Sequence, residues 1–189
     1  MEADLRRFRG RVEVRHLKTI GPVRVLWDRW FVAPRSTPRL LLGDLLEAVG
    51  PETELVLDLK GPDTRLARDV LAAVAPFLDD RRVTVCSRSW RQLRPFLAEP
   101  RVRVLHSVGS AGQLRRLLRR ARDRRLQGVS IHARLLTADT AARLRQRADL
   151  VVSWPVNTLE EARRLLALGV DGLISDEPER VAAAVTVRP

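Results

Sequence analysis

Apolar and polar positions alternate in two different periods along this chain, and the change from one to the other is clearest near the carboxyl terminus. An apolar run from Leu150 ends at Ser153 and Trp154, Pro155 and Asn157 mark a turn, and Leu159, Ala162, Leu165 and Leu166 then fall on one helical face. Gly169-Val170-Asp171-Gly172 leads into a second apolar run that closes on Ser175 and Asp176. Strand, helix and strand in this order make a βαβ unit. Parallel units of this kind place ligand-facing residues just past the carboxyl ends of their strands, so Trp154, Asn157 and Asp176 are expected on one rim.

The same alternation runs back through the sequence. Strands are expected at Glu54–Lys60, Arg82–Ser87, Val102–Ser107 and Gly128–His132, with helices at Arg65–Leu78, Trp90–Leu97, Ala111–Arg125 and Ala138–Arg147. Upstream, Arg11–Leu17 sets Val12, Val14 and His16 against Arg11, Glu13 and Arg15, and a Gly21-Pro22 turn joins it to Val23–Leu26 as a hairpin. Ala33–Pro38 reads as a loop, and Leu40–Val49 as a short helix stopped by Gly50-Pro51. With the first hairpin strand counted, the parallel strands number one fewer than a closed eight-stranded barrel needs. Glu13, Asp58, Cys86, His106, His132, Trp154 and Ser175 lie in or at the ends of these strands.

Composition narrows the class. At 189 residues and 45% hydrophobic content, residues 1–189 suffice for a single folded α/β domain. The net charge of +12 is carried almost entirely by arginine, since only Lys18 and Lys60 are lysine. Such a surface attracts phosphates, nucleic acid or anionic membrane. Leu114, Leu117, Leu118 and Ala121 give the most arginine-rich helix an ordinary buried stripe, so its charges read as a solvated face and nucleic-acid binding is the weaker reading. Cys86 is the single cysteine, which leaves no disulfide framework within the chain. The amino terminus is charged, no long apolar run occurs, and a cytoplasmic protein is expected.

Three blocks carry a family resemblance: Trp154-Pro155-Val156-Asn157, Gly169-Val170-Asp171-Gly172 and Ser175-Asp176-Glu177-Pro178. In this order and spacing they resemble the carboxyl-terminal signature of the glycerophosphodiester phosphodiesterases, W-T-V-N, G-V-D-G and T-D-x-P. The resemblance runs from about Arg11 to Val181 and implies a TIM-type (β/α) barrel, incomplete because its first βα unit is missing. It also implies hydrolysis of phosphodiesters with calcium or magnesium. The family holds its metal with Glu-x-Asp on the second strand and Glu-x-Lys on the third, and takes histidines from a His-Arg-Gly triplet and from a His-Asp after the hairpin.

Carried over residue by residue, Glu13-Val14-Arg15 is matched to Glu-x-Asp and Asp58-Leu59-Lys60 to Glu-x-Lys. Glu13 and Asp58 are then remnant metal ligands, while Arg15 sets a cation where the second carboxylate belongs and opposes metal binding. Thr19 fits the family's threonine after that strand, and Trp27-Asp28 occupies the His-Asp position with a side chain unable to exchange a proton. Phe8-Arg9-Gly10 lies too close to Glu13 to be the His-Arg-Gly triplet, and Arg88 stands after Ser87 where the family has an aromatic. His16, His106 and His132 read as packing residues, and Cys86 as core. The expected function is therefore that of a catalytically impaired or inactive phosphodiesterase-like protein of glycerophospholipid metabolism, with no assigned catalytic residue. Its rim of Arg15, Lys60 and Trp154 would bind a small phosphate-containing molecule or headgroup. The alternative is an active, metal-dependent phosphodiesterase. Unpaired edges at the Arg11 and Gly172 strands invite a homodimer, unless residues 1–10 or a start further upstream fill the gap.

Overall fold

The computed structural model describes residues 1–16, 18–19, 25–28, 31–34 and 38–185, without the side chains of 19, 25–28 and 31–34. Two compact units make up the chain: Met1–Val85 with Arg91–Val102, and Cys86–Trp90 with Arg103–Pro189.

The first unit is built around a strand at the amino terminus. β1 (Glu2–Phe8) turns through Arg9 and Gly10 into β2 (Arg11–Val14), pairing Phe8 with Arg11 and Leu5 with Val14. Arg9 and Gly10 both have positive φ, 47° and 79°, which a two-residue loop between right-twisted antiparallel strands requires. β3 (Lys18–Thr19), β4 (Val25–Asp28) and β5 (Phe31–Pro34) form a separate antiparallel sheet. Then follow β6 (Leu40–Leu41), α1 (Leu42–Ala48), β7 (Leu55–Leu59), α2 (Arg65–Val74) and β8 (Val83–Ser87), giving the strand order β6-β2-β1-β7-β8. Leu5, Leu55, Leu57 and Leu59 are buried beside Leu66, Ala67, Val70 and Val74 of α2. The amphipathic spacing of α2 gives it a buried apolar face, and the helix packs against β1 and β2.

Several expectations change here. The partner of the Arg11 strand is β1 on one side and β6 on the other, so this strand is no open edge. Residues 1–10, one of the expected ways to fill the gap beside that strand, supply β1, in which Glu2, Asp4 and Arg6 alternate with Ala3 and Leu5. The proposed Gly21-Pro22 turn lies outside the described residues, and Val25–Asp28 pairs with β3 and β5 rather than with β2. Leu40 and Leu41 belong to β6, so the first helix begins at Leu42. Part of the expected Ala33–Pro38 loop is β5.

In the second unit, β9 (Val102–Val108), β10 (Gly128–His132), β11 (Val151–Trp154) and β12 (Gly172–Leu173) lie side by side in sequence order and in parallel. Between and after them come α3 (Ala111–Arg120), α4 (Ala138–Arg145), α5 (Leu159–Ala167) and α6 (Pro178–Val185). Ser110, Thr137 and Thr158 cap the first three of these helices by accepting a hydrogen bond from a first-turn N–H. The core joins Val108, Leu117, Val129, Ile131, Leu144, Val151, Leu165 and Val170. Gly128 is needed at the start of β10, because a Cβ there would meet Leu105 Cδ2 at 2.3 Å and the Leu150 carbonyl at 2.9 Å.

Two helices are shorter than the pattern suggests. Trp90–Leu97 forms two 3-10 turns, Trp90–Leu93 and Phe96–Ala98, separated by Pro95. α3 stops at Arg120, beyond which the arginine run ends in Leu126, buried and bridged to Ala148. Among the described residues no helix is long and apolar enough to cross a membrane.

Candidate functional site

Among the described residues, two groups of polar side chains, one in each unit, stand at strand ends or across strands. In the first, the parallel register sets Asp4 of β1 opposite Asp58 of β7. Glu2 precedes Asp4 by two residues and shares its face of the strand. One carboxylate oxygen from each of Glu2, Asp4 and Asp58 lies within 4.8 Å of the others. Lys60, just past β7, is bound to Asp58 and approaches Asp4 Oδ1 at 2.9 Å. Burial pulls the Lys60 ammonium down, but Asp58 and Asp4 outweigh it and leave its pKa above the ordinary value. Loss of water together with the charges of Asp4 and Asp58 pushes the Glu2 carboxyl up to about 8, although its side chain keeps contact with solvent. One ammonium is thus too little cation for three carboxylates.

His16 closes this side of the group. It follows β2, its carbonyl accepts a hydrogen bond from Arg6 Nε at 3.2 Å, and its Nε2 is 3.8 Å from Asp4 Oδ2. The donor set of Glu2, Asp4 and Asp58 is all oxygen, and such hard ligands suit calcium or magnesium. These residues fit a divalent cation.

Glu13 and Arg15 are placed differently from what the sequence suggested. Glu13 is 5% exposed, and its carboxylate accepts from Arg15 Nε at 2.5 Å and Arg39 Nη1 at 2.9 Å. The acidic group close enough to share an ion contains Asp58 but draws its other carboxylates from β1, so Glu13 and Asp58 are not brought together in it. Arg15 spends its charge on Glu13 instead of opposing a metal. The side chains of Thr19 and Trp27 lie outside the described residues.

Reading from the sequence missed Glu2, Asp4 and His16, yet the signal was there. Glu2-Ala3-Asp4 is itself a Glu-x-Asp, and the strand returning from the Arg9-Gly10 turn leads to His16. A hairpin with a two-residue loop brings Glu-x-Asp and histidine together, whereas matching from Glu13 leaves neither a second carboxylate nor an imidazole.

In the second unit, Arg88 follows β8, Gly109 follows β9, His132 ends β10 and Trp154 ends β11. The Arg88 guanidinium lies 5.6 Å from the Trp154 ring centroid, and the His132 and Trp154 rings are 4.9 Å apart. Asn157 joins the next strand end: its Nδ2 donates to Asp176 Oδ2 at 3.1 Å, and its Oδ1 accepts from the Asp176 N–H at 3.0 Å. The expected rim of Trp154, Asn157 and Asp176 is thus formed at neighbouring strand ends, with Asn157 and Asp176 clamped to each other. His106 and Cys86 are buried, and His106 meets Trp90 edge-on with ring centroids 5.6 Å apart. Burial, then Arg120 and Arg124, lowers the His106 pKa to about 4 and keeps it a neutral packing residue.

Solved structures give the same fold. A glycerophosphodiester phosphodiesterase from Thermotoga maritima is 16% identical, with a TM-score of 0.73 over 99% of this chain and 84% of that one. One from Parabacteroides distasonis is 17% identical, with a TM-score of 0.74 over 98% and 82%. An Oleispira antarctica phosphodiesterase, in complex with the product sn-glycerol-3-phosphate, is 18% identical, with a TM-score of 0.72 over 98% and 84%. At these identities the likeness shows the fold, an α/β barrel of the TIM type. No curated protein sequence matches the chain. The model of the glycerophosphoryl diester phosphodiesterase family matches residues 47–180, most of the chain and parts of both units, and the chain belongs to that family.

Proposed function

We propose that this protein hydrolyses a glycerophosphodiester with the help of a divalent cation bound by Glu2, Asp4 and Asp58. The observation that carries the reading is the register of β1 on β7, which brings an amino-terminal Glu-x-Asp beside Asp58-Leu59-Lys60. When bound, calcium or magnesium would polarise the phosphoryl oxygens. Lys60 orients Asp4 and Asp58 through its two ion pairs. His16 presents an imidazole beside Asp4, a side chain able to pass a proton to or from water or the departing alcohol. The product held by the Oleispira antarctica relative supports a small phosphate-bearing ligand. A reaction of this class would serve the breakdown of deacylated glycerophospholipids.

Three departures from the family pattern argue for impairment, the missing His-Arg-Gly histidine, Trp27 before Asp28 and Arg15 in place of a carboxylate, and the last of them weakens because Arg15 is paired with Glu13. If the hairpin of β1 and β2 is matched to the family's, the His-Asp position moves from Trp27-Asp28 to His16-Leu17, and Leu17 in place of the aspartate favours a second reading, ligand binding without turnover. Incubating purified protein with bis-(p-nitrophenyl) phosphate and glycerophosphoglycerol, with magnesium, calcium or chelator, separates the two. Cation-dependent turnover that falls at least about a hundredfold in Asp58→Asn is expected. Turnover indifferent to chelator overturns the proposal, and cation-dependent binding without turnover selects the second reading.

A further inference from the structure

We infer that the second unit carries an oxyanion site of its own, in which Arg88 and Arg134 hold a phosphate, free or as a monoester, beside the indole of Trp154. Every residue of this site falls within Cys86–Trp90 and Arg103–Pro189, so it needs neither the acidic group of the first unit nor the hydrolysis proposed there. The two guanidiniums meet at Gly109, the residue that follows β9. A Cβ built at Gly109 would lie 3.6 Å from Arg88 Nη1 and 3.5 Å from Trp154 Cη2, and Arg134 Nη2 donates to the Gly109 carbonyl at 3.0 Å. Two like charges thus stand around one backbone residue, and among the described residues neither has a carboxylate as ion-pair partner. They repel each other until an anion enters between them.

The donors are held in place from below. Gln113 Oε1 accepts the Gly109 N–H at 2.8 Å, and Gln113 Nε2 approaches the Arg88 carbonyl at 3.5 Å, so one side chain ties the residues that follow β8 and β9. The Arg88 guanidinium lies over the Trp154 ring at 5.6 Å from its centroid, and a guanidinium stacked on an aromatic face directs its N–H groups outward in its own plane. His132, its ring 4.9 Å from that of Trp154, adds an imidazole. Its Nδ1 accepts the backbone N–H of Arg134 at 3.3 Å, so the neutral ring carries its proton on Nε2 as a further donor. Burial, then Arg134 and Arg88, lower the His132 pKa against the opposing charge of Glu161 and keep the ring neutral. The acids at these strand ends are engaged elsewhere, Glu161 lying 3.7 Å from Arg164 and Asp176 accepting from Asn157. Two guanidiniums and an imidazole N–H around one aromatic face match the oxygens of a phosphate, with the indole beside any organic group it carries.

The test is calorimetric titration with inorganic phosphate and with sn-glycerol 3-phosphate at fixed ionic strength, with chelator present so that no cation contributes. Wild type is expected to bind at least one of them saturably. Arg88→Gln and Arg134→Gln should each weaken that binding about tenfold, the scale of one charge-assisted hydrogen bond. Arg119→Gln, an exposed change in the last turn of α3, removes the same charge elsewhere and should leave the affinity within about twofold. Tighter binding of the monoester identifies an organic phosphate as the ligand, equal or tighter binding of inorganic phosphate identifies the free ion, and either supports the site. No saturable binding of either ligand, an unchanged affinity in Arg88→Gln, or an equal loss in Arg119→Gln overturns the inference. Should Arg134→Gln melt early through loss of its bond to the Gly109 carbonyl, the exposed Arg88→Gln decides alone.

Discussion

Asp4 and Asp58 face each other across two parallel strands, and their combined charge is what holds Lys60 between them. Glu13, two strands from Asp58, meets two arginines and becomes part of a buried ion-pair group. Environment decides the role here more than residue type does. His106 makes the same point from the opposite direction. Its pKa falls from 6.5 to about 4, so the folded state disfavours the proton that the unfolded chain accepts. The stability this contributes is complete above about pH 6.5 and is lost as the pH falls toward 4. Its full size is about 3 kcal/mol. Chemical denaturation from pH 7 to pH 4 should therefore show a smaller fall in stability for His106→Leu than for wild type. Equal slopes in the two proteins would contradict the assignment.

Among the elements, the hairpin of β1 and β2 determines what reaches the cluster, since one residue of slip would turn Glu2 and Asp4 to the apolar face. Its turn depends on Gly10 at φ 79°, where a Cβ would meet nothing within 4 Å. The penalty of a side chain there is then purely one of backbone conformation. Gly10→Val should destabilise by roughly 1–2 kcal/mol in a denaturant melt and should weaken cation binding by loosening the register. An unchanged midpoint would exclude the left-handed turn. The strands and helices after residue 54 were legible because apolar periodicity and turn residues agree there, as in Gly128–His132 and the Thr158-capped α5. β1 was not, because Ala3 and Leu5 are its only apolar inward positions in its first half and Glu2, Asp4, Arg6 and Arg7 dominate the reading. Pro95 and the run of like charges after Arg120 shortened two helices for reasons that periodicity does not carry.

For the molecule as a whole, the blocks from Trp154 to Pro178 pointed to the family that the match over residues 47–180 shows. The position of Trp154, Asn157 and Asp176 at strand ends was likewise legible, because the strands there have clear patterns, whereas His132, read as packing, was not assigned to the rim. The cation-binding group was only half legible, since Asp58-Leu59-Lys60 lies in such a strand while Glu2, Asp4 and His16 depend on a pairing that joins the chain's first residues to its middle. Once that pairing is known, Arg15 no longer argues against a metal, because it is paired with Glu13 and the acidic group draws on Glu2 and Asp4 instead. The most direct test is the shift in Tm produced by calcium or magnesium in wild type, Asp4→Asn and Glu13→Gln, each read against its own metal-free baseline. At a hundred times the dissociation constant, wild type should gain about 3 kcal/mol, or roughly 5–10 °C. Glu13→Gln should keep that gain and Asp4→Asn should lose it, whereas a gain that survives in Asp4→Asn and vanishes in Glu13→Gln would contradict the account.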